Sequence, residues 1–329
     1  MNITSSPAPF ASAVEPLLYT LEGLDPDTIT TVEIVNADNG STLGRLRLRG
    51  VSKRSIDVAP YLRRHFVLTP TINSATYAIS HYASVINHFI RIGEVQSEVV
   101  AAVLAAPQFS PLVPNRLLSE LPLHRTLAAG ENDDLRLISI DGTISAAFRL
   151  YDADGSVTPY SISTSEREQV VGVVVDFDTL QARVSAPLKR IEVTLSTSAG
   201  EVATLVYDVV RRGAESCRVA WFNALGGCDL FTFEGFGARK VSFERSRGVG
   251  SPVPITTRRT TLTLDSGIVS RTSIEALMSI IASPSVWIID QRHLREVELI
   301  TTDYSTRQGE CPDRLVAQLG YSETISRTI

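Results

Sequence analysis

Residues 31–49 of this 329-residue chain read TVEIVNADNGSTLGRLRLR. Arginine and leucine alternate from Arg45 to Arg49, which is the pattern of a β-strand with leucine in the core and arginine in water. The Asn39-Gly40 pair before this run predicts a β-hairpin, because a tight type I′ turn needs positive φ at both central residues. The stretch therefore predicts antiparallel β-structure.

Period-two runs of the same kind recur along the chain at intervals of about ten residues, the pattern of β-sandwiches and barrels. Turns at Asp141-Gly142 and Asp154-Gly155 predict hairpins that join 135–140 to 143–151 and 143–151 to 157–163. The fold class that follows is mainly β. The other predicted strands are 77–92, 170–177, 191–195, 203–210, 218–223, 229–233, 259–264, 286–290, 296–301, 315–321 and 324–328.

Two short segments in the first half carry weak helical signals. Residues 94–106 contain valines and alanines whose spacing fits either a helix stripe or a strand. We favour a strand that ends at Pro107, because the surrounding runs are strands. Pro60 predicts one short helical turn within 59–66, since proline suits the first helical position.

The clearest helix signal lies near the C-terminus, over residues 273–282. Thr272 and Glu275 have the spacing of a capping box, in which each side chain satisfies an unpaired amide of the first turn. Apolar residues follow at helical spacing, and Pro284, two residues after the segment, stops the helix. The sequence therefore predicts one short helix in an otherwise β-rich C-terminal region.

Two changes in composition divide the chain. Four prolines between residues 107 and 122 interrupt both helices and strand ladders, and Arg211-Arg212-Gly213 marks a second boundary. We predict an N-terminal β domain at 1–115, a central β-sandwich domain at 116–212 and a C-terminal β domain at 213–329. The architecture expected is two to three sandwich-like domains.

Overall composition narrows the classes of function. Hydrophobic residues make up 43% and charged residues 20%, which excludes a disordered chain. The net charge of −5 argues against a dedicated nucleic-acid binder, which normally carries a basic stripe or arm. No apolar run is long enough for a membrane span. Residues 1–7 lack the features of a secretory signal, so we expect synthesis in the cytoplasm or export by other means.

The histidine and cysteine spacings match no catalytic or metal-binding motif. No pair of histidines forms H-x-H or H-E-x-x-H, and the three cysteines are an odd number without a C-x-x-C spacing. We therefore expect ordinary histidines, free thiols, no metal and no cofactor. The residues concerned are His65, His81, His88, His124, His293, Cys217, Cys228 and Cys311.

Acidic and basic pairs give further hypotheses. Asp152–Ser156 begins like a calcium loop, but Val157 and Ser163 stand where an EF-hand needs glycine and glutamate, so a polar hairpin tip is expected. The pairs Asp133-Asp134 and Asp176/Asp178 could mimic the carboxylates of a glycosidase. Dibasic pairs are expected on solvated edges or in interface salt bridges. These pairs are Arg63-Arg64, Arg211-Arg212 and Arg258-Arg259.

The most distinctive segment, VAWFNALGGCDLFTF, spans residues 219–233. Large apolar side chains on its two predicted strands suit the anchoring of a core. The glycine pair gives the free φ of a tight turn, and the Asx residues can accept backbone amides there. We favour a structural role for this block over a ligand site, which stays open. Its signature residues are Trp221, Asn223, Gly226, Gly227, Asp229, Phe231 and Phe233.

This block resembles a recurrent signature, hydrophobic-x-W-hydrophobic-N-x-x-G-G-x-D-x-[F/Y]-x-F. The signature is that of a family of β-rich, virion- or tail-associated proteins of tailed phages and prophages of Bacteroidetes-type bacteria. The looser resemblance of SIDVAPYLR at 55–63 and of Ser283–Val286 extends over most of the chain. Phe222 and Cys228 depart from the pattern, which has leucine more often at the first position and a bulkier residue at the second.

The resemblance implies a non-enzymatic component of the virion, in the tail or baseplate, that is made in the host cytoplasm. Its expected partners are copies of itself and other virion proteins. The alternative is a carbohydrate-binding adhesin that recognises a bacterial surface glycan through exposed aromatic residues such as Tyr160 or Tyr304. A third hypothesis is an enzyme such as a glycan depolymerase.

Overall fold

The structure, a computed structural model, is mainly β, as the sequence predicts. It describes residues 1–67, 69–70, 79–81, 85–104, 116–139, 143–164, 169–246, 255–290, 293–301 and 314–325. Within these residues the strands form five sheets. None of the helices found there has the length and apolar character needed to cross a membrane.

The N-terminal strands form a sandwich of two sheets. The elements of this part of the chain are β1 Asn2–Ser5, β2 Phe10–Ser12, β3 Leu18–Glu22, β4 Thr30–Asn36, β5 Thr42–Leu48, β6 Lys53–Asp57, α1 Ala59–Arg63, β7 Ile79–His81, β8 Val85–Ile92, β9 Val95–Gln96 and β10 Val100–Val103, and all the strands except β7 belong to this sandwich. One sheet has the order β1-β3-β6, and the other has the order β2-β10-β8-β4-β5 with β9 paired to β8. Tyr19, Leu21 and Ile56 of the first sheet share a buried core with Ile34 and Ile90 of the second.

Local predictions for this sandwich are confirmed with one correction. Strand β10 shows that 94–106 contains a strand, and α1 is one short turn that begins at Ala59 and has Pro60 within its first turn. Strands β4 and β5 form the predicted hairpin, but residues 37–41 connect them instead of a two-residue turn. The reason is that Asn36 and Asn39 each accept a backbone amide two residues onward, at 2.8 and 2.9 Å, which stabilises a wider loop.

The central strands form a second sandwich. Its elements are β11 Arg116–Leu117, β12 His124–Leu127, β13 Asn132–Ser139, β14 Ile144–Asp152, β15 Val157–Thr164, β16 Gln169–Asp176, α2 Phe177–Gln181, β17 Leu188–Thr197 and β18 Gly200–Val209. A sheet of order β11-β13-β16-β7 packs on a sheet of order β12-β18-β17-β14-β15. The core between them contains Leu135, Leu137 and Val173 from the first sheet and Phe148 and Val193 from the second.

One of the two hairpins predicted here is wrong. Strands β14 and β15 pair antiparallel as predicted, but β13 and β14 belong to different sheets. The chain therefore crosses from one sheet to the other between them, because both strands place apolar side chains into the same core. The turn residues Asp141 and Gly142 lie outside the described residues.

The C-terminal strands form one sheet. Its elements are β19 Cys217–Phe222, β20 Cys228–Phe233, β21 Gly235–Ser246, β22 Ile255–Asp265, α3 Arg271–Leu277, α4 Ser279–Ala282, β23 Val286–Asp290, β24 His293–Leu299 and β25 Val316–Ile325. The strand order is β20-β19-β23-β24-β25-β22-β21. Ile274, Leu277 and Ile280 of the helices share a buried core with Val219 and Trp221 on one face of this sheet. This unit is a helix-covered sheet, and the sandwich pattern belongs to the other two units.

Two predictions for this unit need correction. The predicted helix 273–282 begins earlier, at Arg271, because Ser270 caps it by accepting the amide of Ser273 at 3.1 Å. It is divided at Met278 into α3 and α4, and it ends at the predicted residue. The strand predicted at 315–321 and the beginning of the one predicted at 324–328 form the single strand β25, whose pairing with β22 continues without a break to Ile325. Residues 326–328 lie outside the described residues.

The sheets are joined across the predicted boundaries. Strand β7, from the predicted N-terminal domain, pairs antiparallel with β16 of the central sandwich. Strand β20 lies against β13, so the C-terminal sheet packs on the central sandwich. One small apolar cluster draws residues from all three predicted domains, and its buried members are Val103, Leu118, Ile138, Val170 and Leu225.

Candidate functional site

The signature block forms a hairpin whose two faces are both covered. Strands β19 and β20 pair antiparallel, with Trp221 opposite Asp229. Trp221 is fully buried in the core under the helices, and its indole N–H donates to Ser279 Oγ at 2.8 Å. Phe233 is also fully buried, and its ring lies 5.2 Å from that of the half-buried Phe231. The aromatic residues of the signature therefore anchor the C-terminal core.

The turn of this hairpin is held by Asn223 and pressed against the central sandwich. The side-chain oxygen of Asn223 accepts the amides of Leu225 and Gly227, each at 3.0 Å, as the sequence predicts. Gly226 has φ +85°, a conformation that L side chains rarely adopt. Gly227 serves a different need, because a Cβ there would overlap the carbonyl oxygen of Leu118.

Asp229 connects the turn residue Asn223 to the segment between β11 and β12 of the central sandwich. Its carboxylate accepts from the hydroxyl of Ser119, from the backbone amide of Glu120 at 3.2 Å and from the side chain of Asn223 at 2.7 Å. Burial raises the pKa of Asp229, against the lowering influence of Arg125 and these donors. The predicted role at the hairpin turn is therefore filled by Asn223, and Asp229 binds a different part of the chain.

Arg125 and Asp133 form a buried ion pair beside Asp229. Arg125 Nη1 lies 2.7 Å from Asp133 Oδ2, and Arg125 Nη2 donates to Ser119 Oγ at 2.6 Å. The hydroxyl of Tyr207 donates to the same Asp133 oxygen at 2.8 Å. Burial opposes ionisation of Asp133, but Arg125, Arg218 and Tyr207 together keep its pKa below the usual value.

A second group of buried charges lies nearby around Glu131. This carboxylate accepts from Thr232 at 2.7 Å and from Arg212 at 3.3 Å, and Arg218 lies 3.6 Å away. Burial raises the pKa of Glu131, but the two arginines outweigh this effect and lower it overall. Arg212 also reaches the exposed Glu234, at 2.6 Å.

These two groups form one polar contact between the central sandwich and the C-terminal sheet. Arg125, Glu131 and Asp133 come from the central unit, and Arg218 and Asp229 come from the C-terminal unit. Buried ions cost much free energy unless each has a partner of opposite charge. The matched partners therefore make this contact specific for one packing of the two units.

The carboxylate pairs considered for a glycosidase lie within or near this network. Asp134 contacts Arg136 at 3.0 Å, and both side chains are almost fully buried. Asp133 is committed to Arg125 in the same way. Asp176 caps α2 by accepting the amide of Thr179 at 3.0 Å, and Asp178 accepts the amide of Gly130 at 3.0 Å.

A separate, half-open cavity of about 460 Å³ lies on the helix-bearing face of the C-terminal sheet. The helices cover one part of this face, and the cavity occupies the part that they leave open. Its charged and aromatic lining comes from β21, β22, β23, β24 and β25. The lining side chains that carry chemistry are Arg239, Arg258, Asp290, Arg295, Tyr321 and Glu323.

One carboxylate in the cavity is shared by two arginines. Arg295 Nη1 lies 3.1 Å from one oxygen of Glu323, and Arg258 Nη1 lies 3.9 Å from the other. The guanidinium carbon of Arg295 lies 4.5 Å from the centre of the Tyr321 ring, a cation–π contact. Three guanidinium groups face two carboxylates, so the cavity has an excess of positive charge.

The thiol in the cavity wall is Cys217. Burial and, to a lesser extent, Asp290 raise the pKa of Cys217 to about 12. Cys228 of the signature is fully buried, and burial raises its pKa well above the usual range. Both thiols are free, as the sequence predicts, and both are neutral at physiological pH. Cys311 lies outside the described residues.

The remaining candidates from the sequence are dispersed. Among the described residues, no three histidine, cysteine or carboxylate side chains converge as a metal site requires. His124 pairs with Asp208 at 2.7 Å on the surface, and Tyr160 packs against Arg183, whose guanidinium carbon lies 3.7 Å from the ring centre. Tyr304 falls outside the described residues.

The dibasic pairs separate in the structure. Arg63 binds the carbonyl oxygen of Ala13 at 2.6 Å, and Arg212 joins the Glu131 group. Arg258 lines the cavity, whereas its neighbour Arg259 points to the opposite face of β22 and pairs with Glu298 at 3.2 Å. The alternation of side chains along β22 could have predicted that Arg258 lies on the core-bearing face of the sheet, because it places Arg258 on the same face as Leu262 and Leu264.

Comparison of this chain with known proteins assigns no function, so a proposal about function has to be based on the fold and on the geometry of the site. No protein-family model and no curated protein matches the sequence. A solved structure of trypsin-activated alpha-2-macroglobulin from Escherichia coli aligns with 98% of this chain at 8% identity, with a TM-score of 0.19. The aligned part is 21% of that protein. What is established is a chain of mainly β-structure with a helix-covered C-terminal sheet.

Proposed function

We propose that this chain is a non-enzymatic structural component of a phage virion, in the tail or baseplate, that acts through protein–protein interfaces. The observation that carries the proposal is the β21 edge of the C-terminal sheet, with which no further strand of the described residues pairs. Strand β21 is the last strand in the order, and residues 238–245 are all exposed. An exposed edge of this length presents unpaired backbone groups that another chain can pair with.

The side chains of β21 suit a partner on the cavity-bearing face of the sheet. Val241 and Phe243, two residues apart, are 38% and 64% exposed on this face. Arg239 and Arg245 flank them on the same face, which is the arrangement of an apolar contact with a charged rim. The resemblance of the Trp221–Phe233 block to virion-associated proteins gives independent support for an assembly role.

Solution mass tests this proposal directly. Light scattering on the full chain, with negative-stain images of the same sample, is expected to show a closed multimer. Phe243→Lys is expected to shift the mass toward that of one chain, whereas Ser242→Lys, on the opposite face of the same strand, is the matched control. A chain that stays monomeric over the whole concentration range and binds no tail protein overturns the proposal.

The cavity favours a second candidate function, a carbohydrate-binding adhesin that recognises a bacterial surface glycan. The cavity is open to solvent, and it combines the Tyr321 ring with charged groups that can bind hydroxyls. Binding of the labelled chain to bacterial cells and to extracted surface polysaccharide tests this function. The second candidate requires saturable binding that Arg258→Gln weakens, and it fails if cells and polysaccharide capture no protein.

A further inference from the structure

We propose that the cavity on the C-terminal sheet binds a carboxylate-bearing sugar, such as a uronic acid unit of an acidic glycan. This inference names the class of ligand for the second candidate function, the adhesin. It rests on that function only for where the ligand is met, on a bacterial surface. The binding chemistry follows from the lining residues, one of which, Arg239, also lies at the rim of the proposed assembly contact. The cavity's volume of about 460 Å³ lies within the usual range for small-molecule sites.

The arginines provide the charge for an anion. Arg239 is exposed and, within the described part of the chain, forms no ion pair. The Nε atom of Arg258 is buried and, among the described residues, has no hydrogen-bond acceptor. A guanidinium has five N–H donors arranged to fit a planar carboxylate with two parallel hydrogen bonds. The cavity therefore has donors in excess of the acceptors that Glu323 supplies.

The acidic groups of the cavity distinguish a sugar from a simple anion. Asp290 and Glu323 lie in the same lining as the three arginines. A phosphate, which carries up to two negative charges, is repelled by two carboxylates, and it has few donors to offer them. A uronic acid carries one negative charge, which matches the excess of one positive charge, and its hydroxyls can donate to both carboxylates. The net charge of the lining and its hydrogen-bond acceptors thus fit a ligand with one negative charge and several hydroxyl groups.

The position of Tyr321 adds an apolar surface at the same place. Tyr321 is half-buried in β25, two residues before Glu323, so both side chains lie on the cavity face. Arg295 contacts its ring from one side at 4.5 Å. A sugar ring bound beside this pair can place its C–H face against the apolar surface that Tyr321 contributes, while its carboxylate meets Arg239 and Arg258.

Calorimetric titration of the full-length chain tests the inference. The probes are glucuronic acid and galacturonic acid. Glucose and inorganic phosphate are titrated separately, to compare a neutral sugar and a simple anion with the acidic sugars. Arg239→Gln and Arg258→Gln are expected to weaken binding of the acidic sugars by about tenfold or more, because each removes charge-assisted hydrogen bonds. Arg271→Gln is the matched control, since Arg271 is exposed on α3 and pairs only with Glu275 in the described structure.

Each outcome decides between ligand classes. Saturable binding of an acidic sugar, with no binding of glucose and weaker binding of phosphate, supports the inference if the two cavity variants lose affinity. It is overturned if neither acidic sugar binds saturably or if phosphate binds as well as the acidic sugars do. It is also overturned if Arg239→Gln and Arg258→Gln, each confirmed as folded by circular dichroism, both bind the acidic sugars with the affinity of the parent protein. Acidic-sugar binding without capture by cells rejects the adhesin function but leaves the ligand class standing.

Discussion

Arg125 and Asp133 form an ion pair at 2.7 Å in which the two side chains are only 7% and 2% exposed. The pair stands where the central sandwich meets the C-terminal sheet, and Ser119 connects it to Asp229 of the signature block. The attraction within a buried pair of this kind adds little to the free energy of unfolding, whereas leaving either charge buried without its partner is costly. Its main effect is therefore to exclude other packings of the two units.

Asp133→Asn is expected to destabilise the protein by about 3–5 kcal/mol, because it leaves Arg125 buried without its main counter-charge. Urea denaturation followed by circular dichroism measures the change in the free energy of unfolding. The control is Glu275→Gln, which breaks the exposed Arg271–Glu275 pair and should cost about 0.5 kcal/mol or less. Equal losses for the two variants would show that the buried pair does not stabilise the junction.

Gly227→Ala tests the close approach of the signature turn to the central sandwich. The added methyl group would overlap the carbonyl oxygen of Leu118, which is backbone and cannot rotate away. We expect a loss of about 1–3 kcal/mol, as for other overpacked sites. Thermal unfolding of the variant and of Gly213→Ala, where a Cβ meets nothing within 4 Å, makes the comparison. A Gly227→Ala protein as stable as Gly213→Ala contradicts this packing.

The signature block shows how far sequence reasoning reaches. The turn role of Asn223 follows from the spacing of Asx and glycine residues, which act locally. The partner of Asp229 could not be predicted, because Ser119 lies 110 residues away along the chain. The same holds for Gly227. A side chain is excluded there by the carbonyl oxygen of Leu118, which belongs to another unit.

The strands β13 and β14 were predicted correctly, whereas their pairing with each other was not, for a related reason. The period of two identifies β13 and β14 because it depends only on neighbouring residues. Whether they pair with each other depends on which sheet each one completes, and the two strands join opposite sheets. The cavity was missed likewise, since its arginines come from three strands of one sheet face. Alternation assigns each arginine to a face but does not bring the strands together.

The cysteines Cys217 and Cys228 are expected to resist thiol reagents in the folded protein. Burial raises the pKa of Cys217 to about 12 and that of Cys228 well above its usual value, so almost no reactive thiolate is present at pH 7.5. The Cys311→Ser variant removes the third thiol from the measurement. Absorbance after addition of a disulfide reagent should show two reactive thiols in urea and almost none without it. Rapid labelling of either cysteine in the native state would contradict their burial.

His88 is expected to make the stability of the N-terminal sandwich depend on pH between about 6.5 and 4. Its ring is fully buried and lies 3.3 Å from the hydroxyl of Tyr19, and burial lowers the pKa of His88 to about 4. In the unfolded chain the pKa of histidine is about 6.5, so on acidification the unfolded state takes up a proton first. The folded state is therefore favoured above pH 6.5 and loses stability as the pH falls.

Urea denaturation at pH 7 and pH 5 measures this loss, which should be about 2 kcal/mol from His88 alone. The His88→Gln variant, which can keep a hydrogen bond to Tyr19, should lose less stability between the two pH values. His124→Gln is the control, because His124 is exposed beside Asp208. If His88→Gln and the parent protein lose the same stability on acidification, the effect comes from other groups, and His88 does not stay neutral in the folded state.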